Sequence, residues 1–188
     1  MNWPNLFVSK VFFDQRACEA ILAEMKAAEG GAALVYGSTG SGTVDESARR
    51  TFRVKASNET VALVVQKLLR LKDAIEKHFG VGLQECEEPQ FLRYREGDFF
   101  VAHQDGNTGM LRLDTEQRLI STVIFLSRES ESEEPGAFSG GSLVLSNLRE
   151  QYRVPGEPGM LVAFRSETTH EVTPVTYGER YSIACWYR

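Results

Sequence analysis

Three side chains in this 188-residue chain have the types and spacing to hold a metal ion: His103, Asp105 and His170. His103 and Asp105 are two residues apart, so on a β-strand they would project from one face. His170 lies far downstream, where a neighbouring strand can bring it alongside. Two imidazoles and a carboxylate make a facial triad, which leaves coordination positions open and suits non-haem Fe(II). These three are the candidate metal ligands and catalytic centre. Ten residues after His170 comes Arg180, in the run Gly178-Glu179-Arg180-Tyr181-Ser182. An Arg facing the same cavity can pair bidentately with a carboxylate. Alternation on a strand puts Ser182 beside it, so Arg180 and Ser182 are the candidate holders of a dicarboxylate cosubstrate.

A His-x-Asp pair is a weak signal alone. Here it follows an apolar-aromatic run, and further strands intervene before His170, Arg180 and an aromatic terminal strand. From residue 89 onward the pattern is β-type: strands at 90–94, 99–103, 119–126, 140–145, 160–164, 170–175 and 180–187, with Gly and Pro turns between them. That spacing predicts a jelly roll, two antiparallel sheets around a cavity. The N-terminal half supplies a short strand within residues 5–13 and a helix over 15–28, with Asp14 as its N-cap and Gly30-Gly31 as its stop. A second helix runs from a cap at Ser57 or Asn58 to Phe79, with Gly80 ending it. The expected class is mainly β with flanking, N-terminal supporting helices. We read residues 1–188 as one domain: 1–89 as helices and early strands, 90–188 as the core.

Several segments read two ways. Residues 37–42 (Gly-Ser-Thr-Gly-Ser-Gly) form a surface loop or a mobile lid. They are not a phosphate loop, because no Gly-Lys-Ser/Thr follows. A strand at 49–54 carries Arg49 and Arg53, either of which can sit on a solvated edge or reach a substrate carbonyl or carboxylate. Trp186 shares the Arg180 face, as a substrate contact or a core aromatic. Residues 106–115 are a polar loop after the metal pair. Residues 128–138 are an acidic loop that is solvated or selects against acidic substrates. His78, in the last turn of the second helix, is left out of the site.

Five pieces carry a family resemblance: Tyr94-x-x-Gly97, His103-x-Asp105, Gly140-Gly141-Ser142-Leu143, His170-Glu171-Val172-x-Pro174, and Arg180-Tyr181-x-Ile183-x-x-Trp186-Tyr187. Over residues 91–188 the chain resembles the 2-oxoglutarate- and Fe(II)-dependent dioxygenases of the prolyl 4-hydroxylase type, including the hypoxia-sensing prolyl hydroxylases. The resemblance implies the double-stranded β-helix, with Fe(II), 2-oxoglutarate and O2 at the site and ascorbate as a possible reductant. It also implies hydroxylation of a C–H bond coupled to conversion of 2-oxoglutarate to succinate. Tyr94 resembles the family's Tyr near the cosubstrate or the substrate entrance. One position departs: where the hypoxia-sensing relatives place a Tyr on the cosubstrate's distal carboxylate, this chain has Phe125. An intact Asp105 favours hydroxylation over halogenation, which needs that ligand position vacated. The expected substrate is a prolyl residue in a peptide or protein; the alternatives are a free amino acid or small metabolite, or a metal-binding interaction or sensor module without turnover.

Bulk properties narrow the partners. A net charge of −5 with no basic stripe argues against nucleic acid. No apolar run reaches the roughly 20 residues that span a bilayer, and no signal peptide is evident. The three cysteines, Cys18, Cys86 and Cys185, suggest neither a disulfide framework nor a zinc site. They fit a reducing, cytoplasmic setting that would keep iron ferrous. Oligomeric state is not legible.

Overall fold

The computed structural model describes residues 3–32, 35–36, 42–43, 47–106 and 118–188. Its strands are β1 (Phe7–Ser9), β2 (Gly30–Ala32), β3 (Val35–Tyr36), β4 (Gly42–Thr43), β5 (Arg49–Arg50), β6 (Phe52–Val54), β7 (Gln90–Tyr94), β8 (Phe99–His103) and β9 (Ile120–Phe125). They continue with β10 (Arg128–Glu129), β11 (Ala137–Gly140), β12 (Leu143–Ser146), β13 (Gln151–Arg153), β14 (Leu161–Arg165), β15 (Thr169–Val172), β16 (Val175–Tyr177) and β17 (Arg180–Tyr187). The helices are α1 (Gln15–Ala27) and α2 (Asn58–Phe79). Most of residues 37–42 and 106–115, the two loops expected from composition, lies outside the described residues.

Two antiparallel sheets make the barrel. The larger runs β1-β14-β9-β17-β7-β6-β2 and the smaller β13-β12-β15-β8-β5. Alternation on β17 divides its side chains cleanly. Tyr181, Ile183, Cys185 and Tyr187 join the outer core, where α1 contributes Cys18, Ile21 and Met25 and α2 contributes Val64, Leu68, Ile75 and Phe79. Arg180, Ser182, Ala184 and Trp186 therefore face the other way, into the barrel. The interior holds two apolar clusters drawn from both sheets. Phe125, Leu143, Leu145, Val162 and Phe164 belong to one, Leu92, Tyr94, Val172 and Val175 to the other.

The helices form where caps and apolar stripes place them. Asp14 accepts from the Ala17 N–H at 2.8 Å, and Ser57, not Asn58, caps α2 by accepting from Thr60. Gly80 closes α2 in the left-handed region at φ 66°, its N–H bonded to Glu76 O. Gly30 and Gly31 do not stop α1; they already belong to β2, and Ala28 is the cap. The first strand is shorter than its apolar run, because Phe12 and Phe13 leave it to bond Gly159 O and enter the core. The segment at 49–54 splits: Arg49 pairs with Phe100 in the smaller sheet and Phe52 with Arg93 in the larger. The run at 170–175 likewise breaks into β15 and β16.

The acidic stretch at 128–138 is ordered rather than merely solvated. β10 pairs in parallel with β11, and β11 pairs antiparallel with β16. Glu134 accepts from Arg128, Ser130 and Ser132, and these donors pull its carboxyl down to about 2. His78 bonds Asn5 Oδ1 at 2.9 Å and packs edge-on to Phe7 and Phe79, a structural role.

Candidate active site

His103 ends β8 and His170 sits in β15, directly opposite it across the ladder. This register places the two imidazoles side by side, ring centroids 4.2 Å apart. Each Nδ1 faces a backbone carbonyl, Val101 O at 2.8 Å for His103 and Thr168 O at 2.9 Å for His170. A carbonyl only accepts, so each Nδ1 carries a proton and each Nε2 is the atom turned to the cavity, free to ligate a cation.

Asp105 arrives by a different route from the one strand alternation suggests. β8 stops at His103, and the chain bends through Gln104. The bend is held where the Asp105 and Gly106 N–H groups donate to Ser166 O at 2.9 and 3.1 Å. The carboxylate then lies 3.5 Å from His103 Nε2 through Oδ1 and 3.3 Å from His170 Nε2 through Oδ2. The three ligand atoms all fall within 4.8 Å of one another. Neighbouring ligands about 2.1 Å from an octahedral ion sit about 3 Å apart, so an ion fits with a small contraction. The site is buried. Burial lowers the proton affinity of His103, with charge on His170 adding to it. Burial also opposes charge on the other two, but mutual attraction wins: Asp105 is held well below the ordinary carboxylate range and His170 above its ordinary value. A cation would take over that neutralising role.

Two serines complete the carboxylate's setting. Ser121 Oγ donates to Asp105 Oδ2 at 2.7 Å and lies 2.9 Å from Ser166 Oγ. Sequence reasoning missed both; the available signal was two hydroxyl residues, Ser121 and Thr122, near the start of an otherwise apolar strand.

Deeper in the barrel, Arg180 is only 2% exposed. Its Nη1 donates to Ser182 Oγ at 2.9 Å, on the face that the Arg-x-Ser spacing expected the two to share. Its Nε is buried without a partner, and no acidic side chain pairs with it among the described residues. Tyr94, opposite it across the ladder, has its ring centre 5.1 Å from the guanidinium, and the Phe125 ring lies at 5.8 Å. A desolvated guanidinium with an unpartnered donor is a receptor for a carboxylate. The donor set thus fits both the metal and a dicarboxylate.

Residues 89–188 match the 2OG-Fe(II) oxygenase superfamily, and that stretch carries the triad and Arg180. The chain belongs to this superfamily. It is 38% identical over 103 residues to a PKHD-type hydroxylase of Shewanella oneidensis, covering 52% of this chain and 41% of that protein. It is 30% identical over 159 residues to a PKHD-type hydroxylase of Burkholderia lata, covering 81% and 66%. The chain therefore spans about two fifths of the length of the Shewanella relative. Among solved structures, a Pseudomonas putida prolyl-4-hydroxylase superposes with TM-score 0.74 at 23% identity, over 98% of this chain and 92% of that one. A Trichoplax adhaerens prolyl hydroxylase, solved with a hypoxia inducible factor peptide fragment, gives 0.74 at 15% identity, over 99% and 84%. These likenesses establish the double-stranded β-helix that the family resemblance implied.

The remaining candidates of this 2OG-Fe(II) oxygenase divide. Arg49 reaches the site's edge: its guanidinium stacks 4.6 Å from the Phe100 ring, which stacks at 3.6 Å on His103. Arg53 does not reach it. The register sets it on the barrel side opposite Leu92, but its guanidinium is half exposed and pairs with Glu88 at 3.0 Å. Trp186 lies opposite Ser121 on the inner face, with the Arg118 guanidinium 3.9 Å above its ring. Glu87 holds Arg118 there by a two-point pair of 2.8 and 2.6 Å. Among the described residues, no helix is long and apolar enough to cross a membrane.

Proposed function

We propose that this chain is the catalytic unit of a 2-oxoglutarate- and Fe(II)-dependent hydroxylase acting on a prolyl residue in a peptide or protein. The observation that carries the chemistry is the pairing of a convergent His103, Asp105, His170 set with a buried Arg180 that has a donor to spare. The two structural neighbours above, a prolyl-4-hydroxylase and a prolyl hydroxylase, support a prolyl substrate.

In this reading His103, Asp105 and His170 would hold Fe(II), which supplies the O2-dependent oxidation of a C–H bond when bound with 2-oxoglutarate. Everything else is positioning. The Nδ1–H bonds to Val101 and Thr168 keep both imidazoles in the ligating tautomer. Ser121 holds one carboxylate oxygen. Arg180, steadied by Ser182, anchors the distal carboxylate of the cosubstrate, and the aromatic walls of Tyr94 and Phe125 keep water away from it. A reducing compartment such as the cytoplasm suits a ferrous centre.

One observation favours a second reading, a free amino acid or other small carboxylate. Arg49 is 8% exposed and stacked in sequence on Phe100 and His103, a second cation at the metal's edge. Anaerobic absorbance titration with Fe(II) and then 2-oxoglutarate tests the shared chemistry. We expect a charge-transfer band that His170→Ala abolishes and Arg180→Ala weakens. A folded wild type with no band would refute the oxygenase reading. Succinate release with prolyl peptides against free amino acids then separates the two substrates.

A further inference from the structure

Cys86 and Cys185 are 99 positions apart in sequence, yet their sulfurs meet at 2.7 Å. An isolated antiparallel bridge sets Cys86 opposite Tyr187, which leaves its side chain diagonal to Cys185 on the outer face of β17. A disulfide needs about 2.05 Å between sulfurs, so less than about 1 Å separates the pair from bonding. Their access differs. Cys185 is fully enclosed, whereas Cys86 is only partly buried. Burial, with Cys86 beside it, raises the Cys185 thiol well above its ordinary range, so Cys86 is the sulfur an oxidant reaches first. Both sulfurs sit within 3.4 Å of the Glu87 carbonyl, and no metal-ligand carboxylate or imidazole joins them. The pair is separate from the iron ligands.

We propose that Cys86 and Cys185 form a redox modification site, closing a reversible intrachain disulfide when the protein meets a low-molecular-weight disulfide such as oxidised glutathione. Cys86 attacks that disulfide, forming a mixed disulfide and releasing one glutathione thiol. Cys185 then attacks the Cys86 sulfur and releases the second. The dithiol loses two electrons and two protons, and oxidised glutathione becomes two thiols. The bond ties the segment before β7 to the strand bearing Arg180, Ser182 and Trp186. Glu87, next to Cys86, is the residue that clamps Arg118 over Trp186, so the clip fixes one wall of the site from outside.

The test is to treat the folded chain with oxidised glutathione, quench with acid, alkylate in denaturant and map the cysteines by mass spectrometry. We expect a Cys86–Cys185 cross-linked peptide, with Cys18 still alkylated and all three thiols recovered by dithiothreitol. Cys185→Ser should stop at a stable glutathione adduct on Cys86. Cys86→Ser, a milder change at the more accessible position, should leave Cys18 and Cys185 alkylatable. A wild-type adduct on Cys86 that never resolves, or three thiols that all stay alkylatable in excess oxidant, would overturn the proposal.

Discussion

Asp105 can turn one oxygen to a metal in a fixed direction only while the other is held, and the holder is Ser121. Ser121 is 1% exposed, and its hydroxyl donates at 2.7 Å, backed by Ser166. Partners of this kind are worth about 10- to 100-fold in metal affinity. Ser121→Ala should therefore weaken Co(II) binding by that factor in an anaerobic absorbance titration, while Ser121→Thr, which keeps the hydroxyl, binds nearly as wild type. Unchanged affinity in Ser121→Ala would mean the backbone bonds to Ser166 suffice. The ligands and Arg180 were legible in sequence because their chemistry is intrinsic to residue type and order. Ser121 and Ser166 were not, because a serine becomes a positioning group only through what folds against it. Arg53 shows the converse: the right residue type, at a register position on the barrel side, ends on Glu88. The Cys86–Cys185 contact was hidden for the same reason, since nothing in a spacing of 99 residues says that two sulfurs will meet.

At the scale of elements, the chain turns sharply between β11 and β12 where two glycines, Gly140 and Gly141, allow it. Gly141 has φ +57°, and a Cβ there would lie 2.8 Å from Val175 Cγ2 and 3.1 Å from Arg180 Cδ. Gly141→Ala should cost about 1–2 kcal/mol for the left-handed backbone alone. It should also raise the KM for 2-oxoglutarate by displacing Arg180, with metal affinity retained; urea unfolding and steady-state kinetics read the two effects separately. The turn between β10 and β11 gives a pH prediction. Glu134 falls from its ordinary 4.5 to about 2 in the folded chain. A depressed folded value means its contribution is present above about pH 4.5 and is lost as pH falls toward 2. Wild-type melting temperature should drop more steeply across that window than that of Glu134→Gln. Strands with plain alternation and turn residues, β7, β8 and β17, were legible to the residue. Boundaries failed where tertiary pairing overrode local pattern: Arg49 to Val54 divides because its two halves bond to different sheets, and residues 170–175 divide at Thr173-Pro174.

Across the whole molecule the site is a bridge between layers. His103 and His170 stand on the smaller sheet; Ser121, Arg180 and Ser182 stand on the larger. An ion and a dicarboxylate joining the two should brace the barrel, and apo protein should be measurably softer. A ligand at 100 times its Kd adds about 2.7 kcal/mol, which for a chain of this size is a rise on the order of 5–10 °C. In a thermal melt after chelation, Co(II) should supply one increment and 2-oxoglutarate a second. His170→Ala should lose both, because under the proposed function the cosubstrate would bind to the metal as well as to Arg180. Arg180→Met should keep the first and lose the second. Its apo form should also melt no lower than wild-type apo protein, because an apolar side chain of similar length replaces a buried, partly unpartnered guanidinium whose desolvation burdens the empty fold. A marked fall in the melting point of apo Arg180→Met would mean that Arg180 holds the sheets together by itself, and its spare donor would then not be reserved for a ligand.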